Sequence, residues 1–401
     1  MRNKGERLMT NSENALVRHI PTTRKHRSKK ALLVASGTTI LLALAFSGWV
    51  YKAKTHRSLN ARLLSAVKAN DTAGVRLLLA HGADPNIYDV PEEHLSLWQQ
   101  IRAAFRRDNQ GLNALQNNQG ATTTINHTPT LLETALSPDM YSEPYTKVEN
   151  APLIEALLNA GARVDESSLK HQTPLMTAVE YGRLKTVQLL LDHGANPLAR
   201  DDNGKLPIHH MIVASHNPLP IAELLVKLGN DINAVDALGT TPLMITDDLP
   251  TRRFLLAKGA NINAQAKNGD NALLRATGVG DTKAIQLMLD HGAKVDLCDN
   301  DKSTPLDAAV QSGSFPGVNI LPAIKMLLAY GAKIDPINAD GNTPLTSSLT
   351  IGDKPEIVKL LLAHGADVNH HNKAGQTALS LAIKHNYNDL IVLLKAAGAK
   401  H

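Results

Sequence analysis

A ten-residue phrase, LLLAHGADPN at 78–87, returns as LLLDHGANPL at 189–198, LMLDHGAKVD at 287–296 and LLLAHGADVN at 360–369. No other feature of the chain restricts its fold so strongly. The glycines closing the phrase and its weaker copies are Gly82, Gly161, Gly194, Gly229, Gly259, Gly292, Gly331, Gly365 and Gly398. Their separations are 79, 33, 35, 30, 33, 39, 34 and 33 residues. A period of about 33 residues marks a helical repeat array, in which one unit cannot bury its apolar stripe alone and must stack on its neighbours.

A second phrase runs ahead of the first: Thr173-Pro174-Leu175, Thr241-Pro242-Leu243, Thr304-Pro305-Leu306 and Thr343-Pro344-Leu345, with Thr128-Pro129 and the weaker Leu206-Pro207-Ile208. A threonine hydroxyl accepts a bond from an orphan N–H at a helix start. Proline at the first helical position has no N–H to lose and a φ that is already helical. The residues that follow, LMTAVEYGRLKTVQLLLDHGA at 175–195, read as helix, glycine turn and second helix, with Val187, Leu190 and Leu191 on one stripe. Gly194 then falls where a left-handed C-terminal cap needs a residue without Cβ. The DDNG stretch at 201–204 supplies a tight turn before the next unit. Aromatics are only 3 % of the chain against 43 % hydrophobic residues, so the core is built from Leu, Ala, Val and Ile, which suits thin, closely packed helices.

This pattern resembles the ankyrin repeat, and QTPLMTAVEYGRLKTVQLLLDHGANPLARD at 172–201 is its clearest copy. The resemblance covers residues 58–401 and implies an all-α solenoid of about nine helix-turn-helix repeats joined by hairpin turns. It also implies protein binding through the exposed hairpin tips and first helices, with no catalysis and no cofactor. The family usually has His after Thr-Pro-Leu; this chain has Met176, Met244, Asp307 and Thr346 there, and His209 alone approximates it. The repeat closing at Gly259 is three residues short, with Pro250 restarting its second helix, and the one closing at Gly331 is swollen around SGSFPGVNILP.

Charge is unevenly placed. Residues 1–30 carry a net of +7 and 31–57 a net of +3, so the total of +5 leaves −5 on residues 58–401. The repeats lack the basic footprint of a nucleic-acid binder. Between the two parts lies ALLVASGTTILLALAFSGWVY, 31–51, an uncharged run of 21 residues. As a helix it spans about 30 Å, a bilayer's hydrocarbon thickness, with Trp49 and Tyr51 at the headgroup level. We read 1–30 as a basic cytoplasmic tail, 31–51 as a single-pass transmembrane anchor and 58–401 as exported, into the periplasm if the host is a Gram-negative bacterium. RKHRSKK at 24–30 against fewer basic residues after the run sets that orientation. A signal peptide cleaved after Ala43-Leu44-Ala45 is the alternative.

The long separation before Gly161 holds two insertions, 90–127 and 137–151. In the first, Leu97, Trp98, Ile101, Ala104 and Phe105 fall on one helical face, with Arg102, Arg106 and Arg107 on the other. Tyr141 and Tyr145 lie in the second. Five of the ten aromatics beyond the anchor crowd into this region, and such side chains dominate interface centres. Trp98, Ile101, Phe105, Arg102, Arg106, Tyr141 and Tyr145 are therefore the expected partner-binding residues. A cap over the first repeats, or a degenerate extra repeat closing at Gly120, accounts for the same amphipathic pattern.

Other chemistry is thin. Four of the seventeen histidines, His81, His193, His291 and His364, precede a capping glycine, where a basic side chain suits the helix dipole. His209-His210 and His370-His371 are adjacent, not spaced to converge on a metal. Cys298 sits alone in an acidic turn, and Asp201, Asp236, Asp299 and Asp340 recur at hairpin tips as turn residues. No metal or cofactor is expected. The expected role is protein binding at a membrane, with a toxic enzyme delivered to the periplasm as the narrower partner by analogy with immunity proteins. The rivals are an envelope scaffold or enzyme accessory, and a hydrolase using Ser96 with His94 in the insertion.

Overall fold

The computed structural model describes residues 52, 54–87, 129–136, 149–167, 171–211, 218–313 and 319–400. The chain divides into Met1–Ser58 and Leu59–His401. Of the first unit only 52 and 54–58 are described, as helix. The proposed anchor 31–51 and the insertion 90–127 lie outside the described residues, as does 137–148. Among the described residues no helix is long and apolar enough to cross a membrane.

Nine helix pairs make up the second unit among the described residues, numbered here as repeats 1 to 9 by their closing glycines. Repeat 1 is helical at 59–68 and Thr72–Ala80; repeat 2 pairs Leu131–Leu136 with Ala151–Asn159, and repeat 3 pairs Pro174–Glu180 with Leu184–Asp192. Repeat 4 opens on a 3₁₀ turn, Pro207–His210, before Leu219–Lys227, and repeat 5 opens on the short Pro242–Ile245 before Leu249–Ala257. Repeats 6 to 9 follow as Ala272–Val279 with Thr282–Asp290, Pro305–Ser312 with Leu321–Ala329, Pro344–Ser348 with Pro355–Ala363, and Ala378–Lys384 with Asn388–Ala396.

The helix starts work as the phrase requires. The hydroxyls of Thr173, Thr304, Thr343 and Thr377 each accept from the backbone N–H three residues on. Repeat 2 differs from expectation: its cap is Thr130, not Thr128. Thr130 Oγ1 accepts from Glu133 N at 3.1 Å while Glu133 Oε2 accepts from Thr130 N at 2.8 Å. That reciprocal box outcompetes the Thr-Pro start because it satisfies two orphan donors at once. The second insertion also ends earlier than 151. Asn150 caps the helix Ala151–Asn159, accepting from Leu153 N, so both residues belong to the scaffold.

The ends are equally regular. All nine closing glycines have positive φ, near +84° to +93°. The N–H after the glycine donates back to a leucine or methionine carbonyl five residues earlier, as from Ala195 to Leu190 and from Ala293 to Met288. The histidine before the glycine adds its own bond: Nδ1 lies 2.7–2.9 Å from the carbonyl four residues back in His81, His193, His291 and His364. Each of these carbonyls also accepts the same histidine's backbone N–H, so the imidazole is a second partner on one carbonyl of the last turn.

Stacking buries Val187 and Leu190 completely, while Leu191 is half-buried. A second set of links binds repeat to repeat. The fourth residue past each closing glycine is Asn or Asp in seven of eight repeats, and its side chain accepts a backbone N–H of the next repeat. Where it is Asn, as at Asn263, the amide also donates to the next closing glycine's carbonyl, here Gly292 O at 3.2 Å.

Candidate protein-binding surface

Between repeats the chain turns through tight tips, and most are built around one side-chain acceptor, the exception being Ala266 in the tip between repeats 5 and 6. Asp201, Asp236 and Asp299 aim Oδ1 at backbone N–H groups inside their own turns, as expected. Asp340, the fourth predicted tip residue, lies in its turn but is not the acceptor there. Asn338 fills that slot, accepting from Asp340 N and Asn342 N, and Asp340 is an exposed residue of the turn. Asn serves equally because the turn needs only a side-chain carbonyl two residues back.

Successive tips are tied by backbone bonds. Ala237 N donates to Asn203 O at 2.7 Å, Lys267 N to Leu238 O at 2.8 Å, Asn300 N to Asn268 O at 2.9 Å and Ala339 N to Asp301 O at 2.7 Å. The approach is close enough to dictate glycine. A Cβ on Gly269, whose φ is +81°, would stand 2.6 Å from Asn300 N and 2.8 Å from Asp299 Cα. The result is a stiff, pre-ordered row of turns.

Side chains immediately before each tip anchor position are exposed at Arg200, Val235, Gln265, Ile337 and His371, and half-buried at Cys298. Two of them lace tips together. Arg200 Nη1 donates to Gly204 O and Val235 O, and Gln265 Nε2 donates to Gly269 O and Cys298 O, both at 2.9 Å. Between these polar bridges stand bare apolar groups. Val235 is 50 % exposed, Leu238 66 % and Ile337 53 %. Around them charges of both signs alternate, with Asp202, Lys267, Asp301, Lys302 and Lys373 exposed. An apolar centre with a mixed polar rim is the anatomy of a protein interface, and the field is not that of a nucleic-acid groove.

The sequence-predicted site residues Trp98, Ile101, Arg102, Phe105, Arg106, Tyr141 and Tyr145, and the His94/Ser96 pair, all lie outside the described residues. The structure does fix where the first insertion leaves and returns: Leu131 N donates to Ile87 O at 3.2 Å. Sequence reasoning passed over Val235, Leu238 and Ile337. The signal for Val235 and Ile337 is an apolar residue in a hairpin slot that Arg, Gln or His fills in other repeats, and for Leu238 an apolar residue where Asn203, Asn268, Asp301 and Asp340 stand. Cys298 is half-buried and its carbonyl holds Gln265.

Buried titratable groups lie beside this row. His209 ties two backbone groups together: Nδ1 accepts from Leu206 N at 3.1 Å and Nε2 meets Ala234 O at 3.0 Å. Burial holds its pKa below the ordinary value. His210 is buried with Nε2 3.4 Å from Asp201 Oδ2, and desolvation pushes it down to about 4 although Asp201 pulls upward. These rings are structural, each set between one repeat and the next.

Comparison with known proteins agrees with the geometry. A family model for ankyrin repeats matches three copies, at 146–236, 246–322 and 319–401, more than half the chain. It leaves 237–245 unmatched, the hairpin tip and short first helix of repeat 5. A putative palmitoyltransferase ZDHHC13 of Danio rerio is 30% identical over 168 residues, 40% of this chain and 26% of that protein. Human Rabankyrin-5 is 33% identical over 162 residues, 39% of this chain and 14% of its own length. The human transient receptor potential cation channel subfamily A member 1 is 31% identical over 152 residues, 35% of this chain and 14% of the channel. The chain thus spans about a quarter or less of these relatives.

Proposed function

Since the chain belongs to the ankyrin-repeat family, we propose that it binds a protein partner on the hairpin face centred on Val235 and Leu238. The observation that carries this reading is the exposed apolar pair on a hydrogen-bonded row of turns. A surface ordered in advance loses little conformational entropy on binding, so modest apolar contact suffices for affinity. The insertion supplies specificity in this proposal, with Trp98, Tyr141 and Tyr145 as apolar anchors and Arg102, Arg106 and Arg107 steering an acidic partner.

The module is tethered by 31–51, with the basic tail in the cytoplasm and the repeats exported. Support for that comes from the length and uncharged character of the run and from the basic residues flanking it. A reporter active only outside the cytoplasm, fused after His401, is expected to be active and membrane-associated. Activity only from an N-terminal fusion would reverse the orientation. The narrower role is neutralising a toxic enzyme that reaches the same compartment, a reading supported by the combination of tether and binding module.

Substituting Val235 and Leu238 together with Asp tests the surface. Both side chains are exposed, so melting should be unchanged. The partner captured by the unaltered chain should be lost, a weakening of at least about 2 kcal/mol for an interface centre. Retention of that partner at full affinity would remove the hairpin face from the reading. Ala at Trp98, Tyr141 and Tyr145 then decides whether the insertion carries binding alone.

A further inference from the structure

Repeats 4 and 5 depart from the array in five independent ways. The seventh residue before the closing glycine is buried Val or Ile in most repeats, but it is Ala222 in repeat 4 and Arg252 in repeat 5. Arg252 is 3 % exposed, held by Asp281 Oδ2 at 2.8 Å and Asp247 Oδ1 at 3.2 Å. A buried ion pair in an apolar slot gives back little after desolvation. Secondly, buried polar atoms without a hydrogen-bond partner concentrate here. Among the described residues Asn230 Oδ1, Thr241 Oγ1, Thr246 Oγ1 and Arg252 Nε fall in this stretch, with Asp307 Oδ1 and Asp335 Oδ1 in repeats 7 and 8.

Thirdly, the buried apolar core is interrupted. One cluster ends at Leu225 and Ala234 and the next begins at Leu243, with half-buried Phe254 touching both. Fourthly, the Asn/Asp link between repeats fails at one position. Leu198 stands in that slot between repeats 3 and 4, 48 % exposed, and Asn230 Nδ2 donates backwards to Pro197 O instead. Finally, the first helices of repeats 4 and 5 are each only four residues long. The hairpin row crosses this stretch without a break, through the Ala237–Asn203 and Lys267–Leu238 bonds, and the Asn233 link from repeat 4 to repeat 5 also holds.

We infer that repeats 4 and 5, described over residues 206–211 and 218–259, form a weak segment whose helical layer opens before the rest of the solenoid, with the hairpin row as its hinge. Local opening free energies follow apolar contact and satisfied polar groups, and both are reduced here while flanking repeats keep them. The arrangement divides the array into an N-terminal block, repeats 1 to 3, and a C-terminal block, repeats 6 to 9, joined by an openable pair.

Native-state hydrogen exchange of the full chain reads this directly. Amides in Leu219–Lys227 and Leu249–Ala257 should exchange at least tenfold faster than those in Leu184–Asp192 and Thr282–Asp290, with tip amides Ala237 and Lys267 staying protected. Arg252→Val restores the apolar slot and leaves Asp281 and Asp247 partly solvated, so exchange in Leu249–Ala257 should slow at least tenfold. Leu198→Asn, which does not touch the core, should slow Leu219–Lys227 several-fold by restoring the link. Equal protection across the four helices overturns the inference. Faster exchange in Leu249–Ala257 of Arg252→Val overturns it too, because the ion cluster would then be what holds repeat 5. Should Arg252→Val fail to fold, the wild-type pattern and Leu198→Asn still decide.

Discussion

Replacing Asp307 with threonine should stabilise the protein at neutral pH and leave its stability in acid nearly unchanged. Asp307 is the third residue of the helix Pro305–Ser312 and is fully buried. Its Oδ2 accepts from Thr304 N at 3.2 Å and from Thr304 Oγ1 at 3.0 Å, while Oδ1 has no partner. Burial first, and then the charge of Asp299, push the carboxyl from 3.8 up to about 6, against the downward pull of the Thr304 bonds. The folded protein therefore holds this proton more tightly than the unfolded chain does. Stability from this group is complete below pH 3.8 and is lost as pH rises to about 6. At 1.36 kcal/mol per unit the gap amounts to about 3 kcal/mol. A helix N-terminus favours an anion by about 1 kcal/mol, too little to reverse the sign. Repeat 8 shows what a neutral group does in the same slot: Thr346 Oγ1 accepts from Thr343 N at 2.8 Å and donates to Thr343 O at 2.9 Å. Urea unfolding of both proteins between pH 4 and 8 should give Asp307→Thr an advantage of about 2–3 kcal/mol at pH 7.5, fading toward zero near pH 4. An advantage that does not vary with pH, or a loss at neutral pH, would refute a buried, strained carboxylate.

The same titration carries an opposite prediction for His210. Its folded pKa is depressed to about 4 from 6.5, so the folded state binds its proton less well and stability rises with pH between those values. His210→Gln should flatten that rise. Two glycines with the same backbone conformation should differ sharply. Gly269→Ala puts Cβ against the next tip and should cost several kcal/mol, whereas Gly292→Ala, with φ +84° and nothing within 4 Å, should cost about 1–2 kcal/mol in thermal unfolding. Asn263→Ala removes the bonds to Lys294 N and Gly292 O and should cost about 1–3 kcal/mol, with faster exchange at Lys294 N. Leu190→Ala empties a fully buried slot and should cost about 2–5 kcal/mol by the same assay.

The period, the helix pairs and the left-handed caps were legible because each rests on a local need that one residue type meets: threonine for an orphan N–H, glycine for positive φ. Boundaries failed where two local solutions competed, as between Thr128 and the Thr130–Glu133 box. Asp340 lies at its tip as expected, but the acceptor of that turn is Asn338, which supplies the carbonyl oxygen that Asp supplies in other tips. The expected binding residues are chosen on aromatic density and lie in the insertion, outside the described residues, whereas Val235 and Leu238 carry no such signal. Those two are ordinary aliphatic residues whose exposure depends on which way a hairpin strand turns, a tertiary property. Arg252 was invisible for the converse reason: a charge on a helix reads as surface until the register of nine copies is laid side by side.

That register also explains why the chain can depart from the family's histidine without losing its helix starts. In this slot Glu133, Met176, His209, Asp307, Thr346 and Ser380 each present an acceptor to the cap residue's backbone N–H. The constant demand is a satisfied donor at a buried helix start, and carboxylate, thioether, imidazole and hydroxyl all meet it. What distinguishes the repeats is the cost of each choice. A hydroxyl meets the demand neutrally, and a fully buried carboxylate meets it while adding a charge to desolvate. Repeat 5 does worst, since Thr241 makes no side-chain cap bond and its own hydroxyl is left without a partner. The capping chemistry of the first helix and the ionic slot of the second thus fall in the same repeat, as the proposed opening of repeats 4 and 5 requires.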